Sequence, residues 1–496
     1  PDFIGCGLGL EDSIGLIDDA RVTIGMVLLV ESALMLAPLV VSLICKSDDS
    51  LALLISALLT ACVGGGFTLL RPRNENLRAR EGFAIVALSW IFVSFFGAVP
   101  FVIHGCIPSM VDAFFEIVSG FTTTGATILT DVESLPKGLL FWRSFTHWAG
   151  GMGVLVLTLA LLPKIGARSI HLMRAESPGP SVDKLVPRVG KYAKILYKLY
   201  IALSAIMLVC LLLTGMNLYD ALIHVFGTAG TGGFSNYNLS VGAFNNRAVE
   251  IIIAVFMALF GVNFSIYYFI LHKSFGAIWH NSELKMYLAL LLGASVIIAV
   301  NIMPMYGRDF FQALRYSFFQ VSSLMTSTGY ATTDFNLWPQ LSRTLLVGLM
   351  VIGACAGSTG GGVKVVRFEL LFKGMLNEIR HTIHPKSVST VKLDGHTVGD
   401  NVVSGVYTFF FAYMFVLMIS VFVLSFDGFS FETNVTSVIT TLSNIGPGLD
   451  MVGPRGNFSA FSNLSKLVLS LDMLIGRLEI FPILMLISPS AWRHAN

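Results

Sequence analysis

The sequence is poor in charge. Asp, Glu, Lys and Arg make up 12% of its 496 residues, whereas 54% of the residues are hydrophobic. A water-soluble domain carries roughly twice that charged fraction. The composition therefore excludes an ordinary soluble protein and predicts a membrane protein with several long apolar segments.

Cysteine is also scarce. The six cysteines are scattered, with no CxxC pair and no Cys/His cluster at metal-ligand spacing, so buried thiols in apolar segments are expected. HExxH, GxSxG, a complete Walker motif and a dinucleotide fingerprint are all missing. We therefore expect that the chain is not an enzyme and that it binds no nucleotide itself. Its basic residues follow membrane sidedness, which argues against nucleic-acid binding.

Long apolar runs dominate what is present. A helix that crosses the hydrocarbon core needs about 20 apolar residues. Ten such runs are predicted as spans: 22–45 and 51–70, followed by four pairs at 83–103 and 141–163, 195–215 and 248–271, 286–303 and 342–366, and 404–426 and 465–489. Between the members of each pair lies an apolar segment too short to cross the bilayer, which predicts a re-entrant half-helix.

Each predicted half-helix ends in a glycine-bearing string. The strings are TTTGAT, GTGGFS, STGYAT and SNIGPG, and their key glycines, about a hundred residues apart, are Gly125, Gly233, Gly329 and Gly446. The repeat predicts an all-α polytopic membrane protein with four helix–pore loop–helix units, pseudo-fourfold symmetric around one ion pore, and an N-terminal two-helix hairpin. The expected boundaries are 1–75, 76–170, 171–275, 276–385 and 386–496.

The half-helices share a register. Asp112 and Asp220 lie thirteen residues before their key glycines, and Tyr316 and Thr433 occupy the same offset in the other two units. We expect the Asp and Thr residues to be helix N-caps. The C-terminal ends would then point at the axis, and their partial negative charge would favour a cation.

Four backbone loops around one axis can replace the hydration shell of a potassium ion with carbonyl oxygens. Glycine permits the backbone conformations that such a loop needs. The alternative is that these strings only let helices pack closely, as small residues do in membranes. Each string has one central glycine, whereas TVGYG has two, so we expect looser selectivity.

A second glycine-rich segment interrupts the last span of the third unit. Three adjacent glycines cost roughly 1 kcal/mol each in a helix interior, so an unwound loop is expected across the inner half of the pore. Close helix packing is the alternative. A phosphate loop is excluded because Val363 separates the last glycine from Lys364. The loop residues are Gly357, Ser358, Thr359, Gly360, Gly361 and Gly362.

Arg477 lies near the centre of the last span, where a charge is expensive and function is the default interpretation. It would limit cation occupancy just to the inner side of the filter. The alternative is a structural ion pair with Glu479 of a neighbouring copy or with another carboxylate. Lys364 is assigned as a second pore charge. The alternative is that Lys364 and Arg367 snorkel at the cytoplasmic end. His224, in the second half-helix, is expected to be a structural hydrogen-bonding residue.

Basic residues concentrate in three connecting segments, which places these segments and both termini in the cytoplasm and the glycine strings on the outer side. The segments follow the hairpin, the first unit and the third unit. Their basic residues are Arg71, Arg73, Arg78 and Arg80; Lys164, Arg168, Arg174, Lys184, Arg188, Lys191 and Lys194; and Lys373, Arg380, Lys386 and Lys392.

Several motifs together resemble one family. These are TTTGAT after DAFFEIVSGF, WAGGMG (148–153), RAESPGP (174–180), CAGSTGGGVKVVR (355–367), NIGPGL and IGRLE (475–479). They resemble the bacterial TrkH/TrkG potassium uptake proteins, of the superfamily that includes KtrB and the fungal Trk transporters. The resemblance extends from about Val22 onward, and the first eighteen residues match nothing in it.

The resemblance implies a pore-forming subunit that conducts K+, and Rb+, into the cytoplasm across the bacterial inner membrane. It implies a homodimer with one pore per subunit and a cytosolic TrkA-like ring that senses NAD(H) and ATP/ADP. It assigns the gating loop to Gly357–Gly362 and the pore arginine to Arg477. It assigns the K+ filter to Thr123, Thr124 and Gly125; Thr231, Gly232 and Gly233; Ser327, Thr328 and Gly329; and Asn444, Ile445 and Gly446.

The extra glycines of GTAGTGG leave open which pair lines the pore in the second string. An ion-coupled secondary transporter is the alternative function. Such proteins place broken helices in inverted repeats, whereas these four units run in one orientation. Coupling to H+ or Na+ nevertheless stays open. A membrane enzyme would need a nucleophile–base or metal constellation that the sequence lacks.

Overall fold

A computed structural model describes residues 21–69, 79–153, 189–386 and 390–487, and most of these residues are helical. The all-α membrane fold class is therefore confirmed. In chain order the helices are α1 (Arg21–Cys45), α2 (Ser50–Thr68), α3 (Ala79–His104), α4 (Met110–Phe121), α5 (Lys137–Gly151), α6 (Val189–Leu213), α7 (Leu218–Gly230), α8 (Arg247–Phe260), α9 (Phe264–Leu271), α10 (Phe275–His280), α11 (Ser282–Ile302), α12 (Phe310–Met325), α13 (Gln340–Ile352), α14 (Val365–Ile383), α15 (Asp400–Leu424), α16 (Phe431–Leu442), α17 (Asn463–Arg477) and α18 (Phe481–Ile487). Two-residue strands β1 (Lys392–Leu393) and β2 (His396–Thr397) pair antiparallel.

Long continuous helices occur where the hairpin and the first member of each pair were predicted. Among the described residues, six helices are long and apolar enough to cross a membrane: α1, α2, α3, α6, α11 and α15. Their outer faces carry exposed apolar side chains such as Phe411, Met418 and Phe422 of α15. Lipid can cover such faces because every backbone group is satisfied within the helix.

The second member of each pair is not a continuous helix. A break was predicted only in the third pair, at GSTGGG, so the prediction of unbroken spans at 141–163, 248–271 and 465–489 is wrong. Helix α8 meets α9 at an angle of 89°. A loop separates α13 from α14, and α17 ends at Arg477 before α18 begins. Helix α5 ends at Gly151, and residues 154–163 lie outside the described part of the chain. Apolar composition alone does not reveal these breaks, because the backbone groups freed there find partners in other helices.

The four half-helices are α4, α7, α12 and α16, with 12, 13, 16 and 12 residues. The prediction that Asp112, Asp220 and Thr433 are N-caps is wrong. Each lies in the first turn and donates its backbone N–H to a cap three residues earlier. The caps are Ser109, Asn217 and Ser430, and Asp309 caps α12. Because α12 is a turn longer than α4 and α16, Tyr316 lies inside it and the third copy matched the register poorly.

Each half-helix contacts the same three neighbours: both helices of its own pair and the second helix of the preceding pair. Half-helix α4 contacts α3, α5 and α17; α7 contacts α6, α8 and α5; α12 contacts α11, α13 and α8; and α16 contacts α15, α17 and α13. Since α17 belongs to the last pair and α4 to the first, this packing closes on itself. The N-terminal hairpin packs outside it, against α3 and α5.

Polar contacts accompany these junctions between successive pairs. Glu250 of α8 pairs with Arg315 of α12 at 3.2 Å, and Arg343 of α13 pairs with Glu432 of α16. Lys466 of α17 pairs with Asp112 of α4 at 2.6 Å. At the fourth junction the Tyr219 hydroxyl donates to the Lys137 carbonyl oxygen at 2.8 Å. The predicted boundaries between the units remain a prediction.

Candidate functional site

The four glycine strings have the same backbone conformation. The residue two positions before each key glycine is left-handed, with φ of 56°, 56°, 59° and 54° at Thr123, Thr231, Ser327 and Asn444. The key glycines themselves have φ of 81°, 76°, 83° and 96°. Left-handed backbone is costly for a residue with a Cβ atom. Because all four strings adopt it at the same position, they share one backbone geometry, which the surrounding packing stabilises.

The hydrogen bonds that end the half-helices are equivalent too. The residue before each key glycine donates its N–H to the carbonyl oxygen five residues earlier, at 2.8 to 2.9 Å. The donor–acceptor pairs are Thr124–Ser119, Gly232–Gly227, Thr328–Ser323 and Ile445–Thr440. Each half-helix thus ends in a tight reversal that satisfies a terminal carbonyl group.

The four strings touch in a closed ring, which we call the glycine ring (residues 123–125, 231–233, 327–329 and 444–446). A Cβ atom on Gly125 would lie 1.9 Å from the Gly232 carbonyl oxygen. One on Gly233 would lie 2.0 Å from Thr328 O, one on Gly329 2.1 Å from Ile445 O, and one on Gly446 2.8 Å from Thr124 O. Each key glycine therefore abuts the carbonyl that precedes the next key glycine, and only hydrogen fits between them.

A cavity of about 140 Å³ opens on one side of the glycine ring. All four key glycines line it, together with residues that follow them in the strings. Arg143 and Asn238 also contribute to its wall. Polar backbone thus faces a cavity at the centre of an apolar molecule, the situation in which irregular backbone is tolerated at membrane depth.

The glycine loop, Gly357–Gly362, lies on the other side of the ring. Helix α13 ends at Ile352 and α14 begins at Val365, so this segment is unwound. The N–H of Gly361 donates to Ser327 Oγ at 2.6 Å. A Cβ atom on Gly361 would lie 2.2 Å from the Ser443 carbonyl oxygen. The loop therefore contacts the residues that precede the key glycines of the third and fourth strings.

Arg477 joins the loop to the first string. Its guanidinium donates to Thr359 O at 3.0 Å and to Thr123 Oγ1 at 3.3 Å. It also donates to the carbonyl oxygens of Gly150 and Gly151, at 2.5 and 2.7 Å. The charge is therefore held beside the ring, on the side occupied by the loop.

Lys364 and Arg367 do not reach the surface of the chain, so the snorkelling alternative is wrong. The two residues are 4% and 8% exposed. Lys364 Nζ donates to the Gly360 carbonyl oxygen, within the loop. Arg367 pairs with Glu479 at 2.5 Å and lies over the ring of Phe409. Glu479 thus has a partner within the chain, and Lys364 contacts the loop.

The sequence of the chain matches that of a known family. The sequence profile described as TrkH, cation transport protein, matches residues 50–493. The Trk system potassium uptake protein TrkH of Salmonella typhimurium is 35% identical over 480 residues, which cover 95% of this chain and 98% of that protein. The chain belongs to the TrkH family.

Two other members of the TrkH family are similar to this chain over nearly their whole length. The Trk system potassium uptake protein TrkG of Escherichia coli is 35% identical over 473 residues, with 95% of this chain and 97% of that protein covered. The crystal structure of the potassium transporter TrkH from Vibrio parahaemolyticus superposes with a TM-score of 0.84 at 33% identity, over 95% of this chain and 99% of that one. The motif-based resemblance is confirmed. TrkH proteins are transport proteins, so the prediction that the chain is not an enzyme is confirmed as well.

The structure reveals a buried ion pair beside the ring that the sequence did not indicate. Arg143 Nε lies 2.5 Å from Glu116 Oε1, and both side chains are at most 2% exposed. Glu116 also accepts from the N–H of Ile128 and the hydroxyl of Thr127, both at 2.9 Å. Arg143 donates to Ser235 O at 3.1 Å. The pair therefore links the first and second strings of this TrkH family member.

Two histidines also support the strings. His147 Nδ1 lies 2.7 Å from the Gly120 carbonyl oxygen, and its ring occupies the space beside Gly232. His224 contacts Asp220 O at 2.8 Å and Ser235 Oγ at 3.1 Å. The prediction that His224 is a structural hydrogen-bonding residue is confirmed. His147 was missed, since a single histidine in an apolar run carries no pattern.

Some sequence predictions lie outside the described residues. The RAESPGP motif falls within 154–188, and so do Lys164, Arg168, Arg174, Lys184 and Arg188 of the basic segment after the first unit. Arg71, Arg73 and Arg78 fall within 70–78, and the N-terminal segment before residue 21 is likewise outside. The charge pattern that orients the chain therefore stays a prediction.

Proposed function

We propose that this chain is the pore-forming membrane subunit of a potassium uptake system, conducting K+, and Rb+, into the cytoplasm across the inner membrane of a bacterium. The observation that carries the proposal is the closed ring of contacts between each key glycine and the carbonyl group before the next one. Rings of backbone carbonyl groups are how membrane proteins replace the hydration shell of K+. The TrkH-family relatives named as potassium uptake proteins support the same ion.

The filter in this proposal is the glycine ring, with K+ as the transported ion. The four half-helices end at the ring, so their C-terminal carbonyl groups add a partial negative potential that favours a cation. The cavity of about 140 Å³ beside the key glycines would be the vestibule through which ions enter. The cavity is lined by residues that follow the strings. With the sidedness predicted from the basic segments, this cavity would face the outside of the cell and both termini would lie in the cytoplasm.

The glycine loop and Arg477 would control passage below the filter. The loop contacts the third and fourth strings through Ser327 and Ser443, and Arg477 contacts the first string through Thr123. An ion leaving the filter would therefore meet backbone and a positive charge rather than water. Movement of the loop would open this route, and the charge would limit how many cations collect there.

The experiment that tests the proposal is 86Rb+ uptake into potassium-loaded proteoliposomes that contain only this chain. External K+ should compete with the uptake, and Gly329→Ser should abolish or degrade the preference for K+ over Na+. Gly428→Ser is the matched control, because Gly428 also has positive φ, 75°, but a Cβ atom there would have no neighbouring atom within 4 Å. If the two variants prefer K+ over Na+ equally, the third string is not part of the filter.

A second candidate is uptake coupled to H+. One observation favours it: Asp472, on α17, is 1% exposed. One of its carboxylate oxygens accepts from Ser420 Oγ at 2.8 Å, and the other has no hydrogen-bond partner among the described residues. A buried carboxyl group within the membrane is a typical proton site. Uptake that follows an imposed pH gradient and loses that dependence in Asp472→Asn would favour coupling.

We further propose that the chain works as a homodimer under a cytosolic TrkA-like ring that binds NAD(H) and ATP or ADP. The relatives are named as proteins of a Trk system, which supports a multi-component assembly. The test is co-purification of a TrkA-type protein with the full chain, with mass photometry of the complex. A monomer that recovers no such protein would contradict both parts.

A further inference from the structure

A buried carboxyl group of another helix contacts the backbone just before the glycine loop. Glu283 lies in the first turn of α11 and is 6% exposed. Its Oε1 accepts from the N–H of Ala356 at 2.6 Å, immediately before the loop. Glu283, a residue of a different helix, therefore contacts the backbone at the start of the loop.

The break between α8 and α9 provides a second attachment for the same segment. The N–H of Cys355 donates to Gly261 O at 3.1 Å, and the N–H of Phe264 donates to Gly357 O at 3.0 Å. Gly357 has φ of 70°, and a Cβ atom there would lie 3.0 Å from Asn263 Oδ1. The beginning of the loop therefore lies in the 89° bend, beside Asn263.

These contacts differ in kind from those that the loop makes with the ring. Toward the ring the loop offers glycine backbone, as in the 2.6 Å bond from Gly361 to Ser327. At its start the segment is held instead by the buried carboxyl group of Glu283, whose Oε1 accepts from the N–H of Ala356 at 2.6 Å. A buried carboxyl oxygen needs such a partner, because leaving it unpaired is costly.

We propose that Glu283 is a positioning residue that keeps the glycine loop against the ring, and that loss of its contact with Ala356 frees the loop. This inference rests on the proposed function of the loop as the gate. Lys364, at the start of α14, donates to Gly360 O, and its own N–H donates to Ile352 O at 2.9 Å, so it links the end of the loop to α13. Glu283 belongs to α11 and holds the start of the same segment.

Cys355 provides a reporter of loop position that does not depend on transport. Its side chain is 1% exposed, and it directly precedes Ala356. In a background where Cys6, Cys45, Cys62, Cys106 and Cys210 are replaced by serine, the rate of N-ethylmaleimide labelling measures how often the loop leaves its site. A Cys355→Ser variant gives the background rate.

Glu283→Ala should raise the labelling rate of Cys355 at least tenfold and 86Rb+ uptake several-fold, with the preference for K+ over Na+ unchanged. Glu283→Gln, which keeps an acceptor but not the charge, should be intermediate. Glu31→Ala is the matched control, because Glu31 is also a buried carboxylic acid, 1% exposed, but lies beside Gly97 in the N-terminal part of the chain. It should change neither quantity.

Unchanged labelling in a folded Glu283→Ala protein would overturn the proposal. Faster labelling with unchanged uptake would support the anchoring role and would instead refute the loop as the gate. If Glu283→Ala does not fold, Gly357→Ala disturbs the start of the loop from its other side, since its methyl group would press on Asn263. Labelling of Cys355 at the original rate in that variant would also overturn the proposal.

Discussion

Arg477 donates a hydrogen bond of 3.0 Å to the carbonyl oxygen of Thr359, although 118 residues separate them in the chain. This contact joins the arginine near the centre of the last predicted span to the middle of the glycine loop. The same guanidinium reaches Thr123 in the first glycine string at 3.3 Å. A positive charge, an unwound backbone segment and the proposed filter therefore form one unit, and a change in any of them should affect the others.

Removing the charge of Arg477 should increase transport. At an effective dielectric constant of about 20, a unit charge about 8 Å from a cation repels it by about 2 kcal/mol. We therefore expect Arg477→Gln to raise the initial rate of 86Rb+ uptake in proteoliposomes, by up to about thirtyfold. Arg477→Lys keeps the charge but not the planar guanidinium, and should stay near the original rate. An increase in the lysine variant as large as in the glutamine variant would show that geometry, not charge, matters here.

Substitutions of the key glycines should be graded. The nearest carbonyl oxygen lies 1.9 Å from a Cβ atom on Gly125 but 2.8 Å from one on Gly446. Gly125→Ala must displace the second string, whereas Gly446→Ala requires a smaller shift. We expect Gly125→Ala to lose selective uptake and Gly446→Ala to keep a measurable preference for K+ over Na+. The ratio of Rb+ to Na+ uptake measures this, and the opposite order would contradict the ring geometry.

Shortening the glycine loop should raise flux. Deleting Gly360 and Gly361 removes the hydrogen bond to Ser327 and the close approach to Ser443. The space below the third and fourth strings would then be open to ions. The measurement is 86Rb+ uptake by protein that elutes as a single species in size-exclusion chromatography. If such protein transports at the original rate, the loop is not the barrier.

Breaking the Arg143–Glu116 pair should destabilise the protein and loosen the filter. Removing one partner of a buried pair costs about 3–5 kcal/mol because the other charge stays buried. Glu116→Gln should therefore lower the Tm clearly and weaken selectivity, since Glu116 also accepts from Thr127 and Ile128. As a control, Glu369→Gln breaks a pair with Lys373; the charge left behind is that of the lysine, which is 37% exposed and reaches water, so the Tm should fall less. Equal Tm shifts would contradict the assignment.

Local sequence signals predicted the parts of this protein whose physics is local. A membrane helix needs about 20 apolar residues wherever it lies, so the continuous helices such as α6 and α15 followed from composition. A backbone with positive φ favours glycine, so Gly125, Gly233, Gly329 and Gly446 marked the strings. The unwound loop followed from GSTGGG for the same reason. Where two residues suit one role, the local sequence did not identify the right one. Asp112 and Ser109 can both cap a helix, Asp112 was predicted, and the actual cap is Ser109.

Only the tertiary structure decided which distant groups meet. Whether Arg367 reaches water or pairs with Glu479 depends on how α14 packs against the end of α17, and 112 residues separate the two partners. The contacts of Glu283 with Ala356 and of Arg143 with Glu116 likewise join residues 73 and 27 positions apart. The sequence by itself determined the helices, the glycine strings and the family. The closed ring and its buried charges came from packing, because burial and pairing of a charge depend on every helix around it.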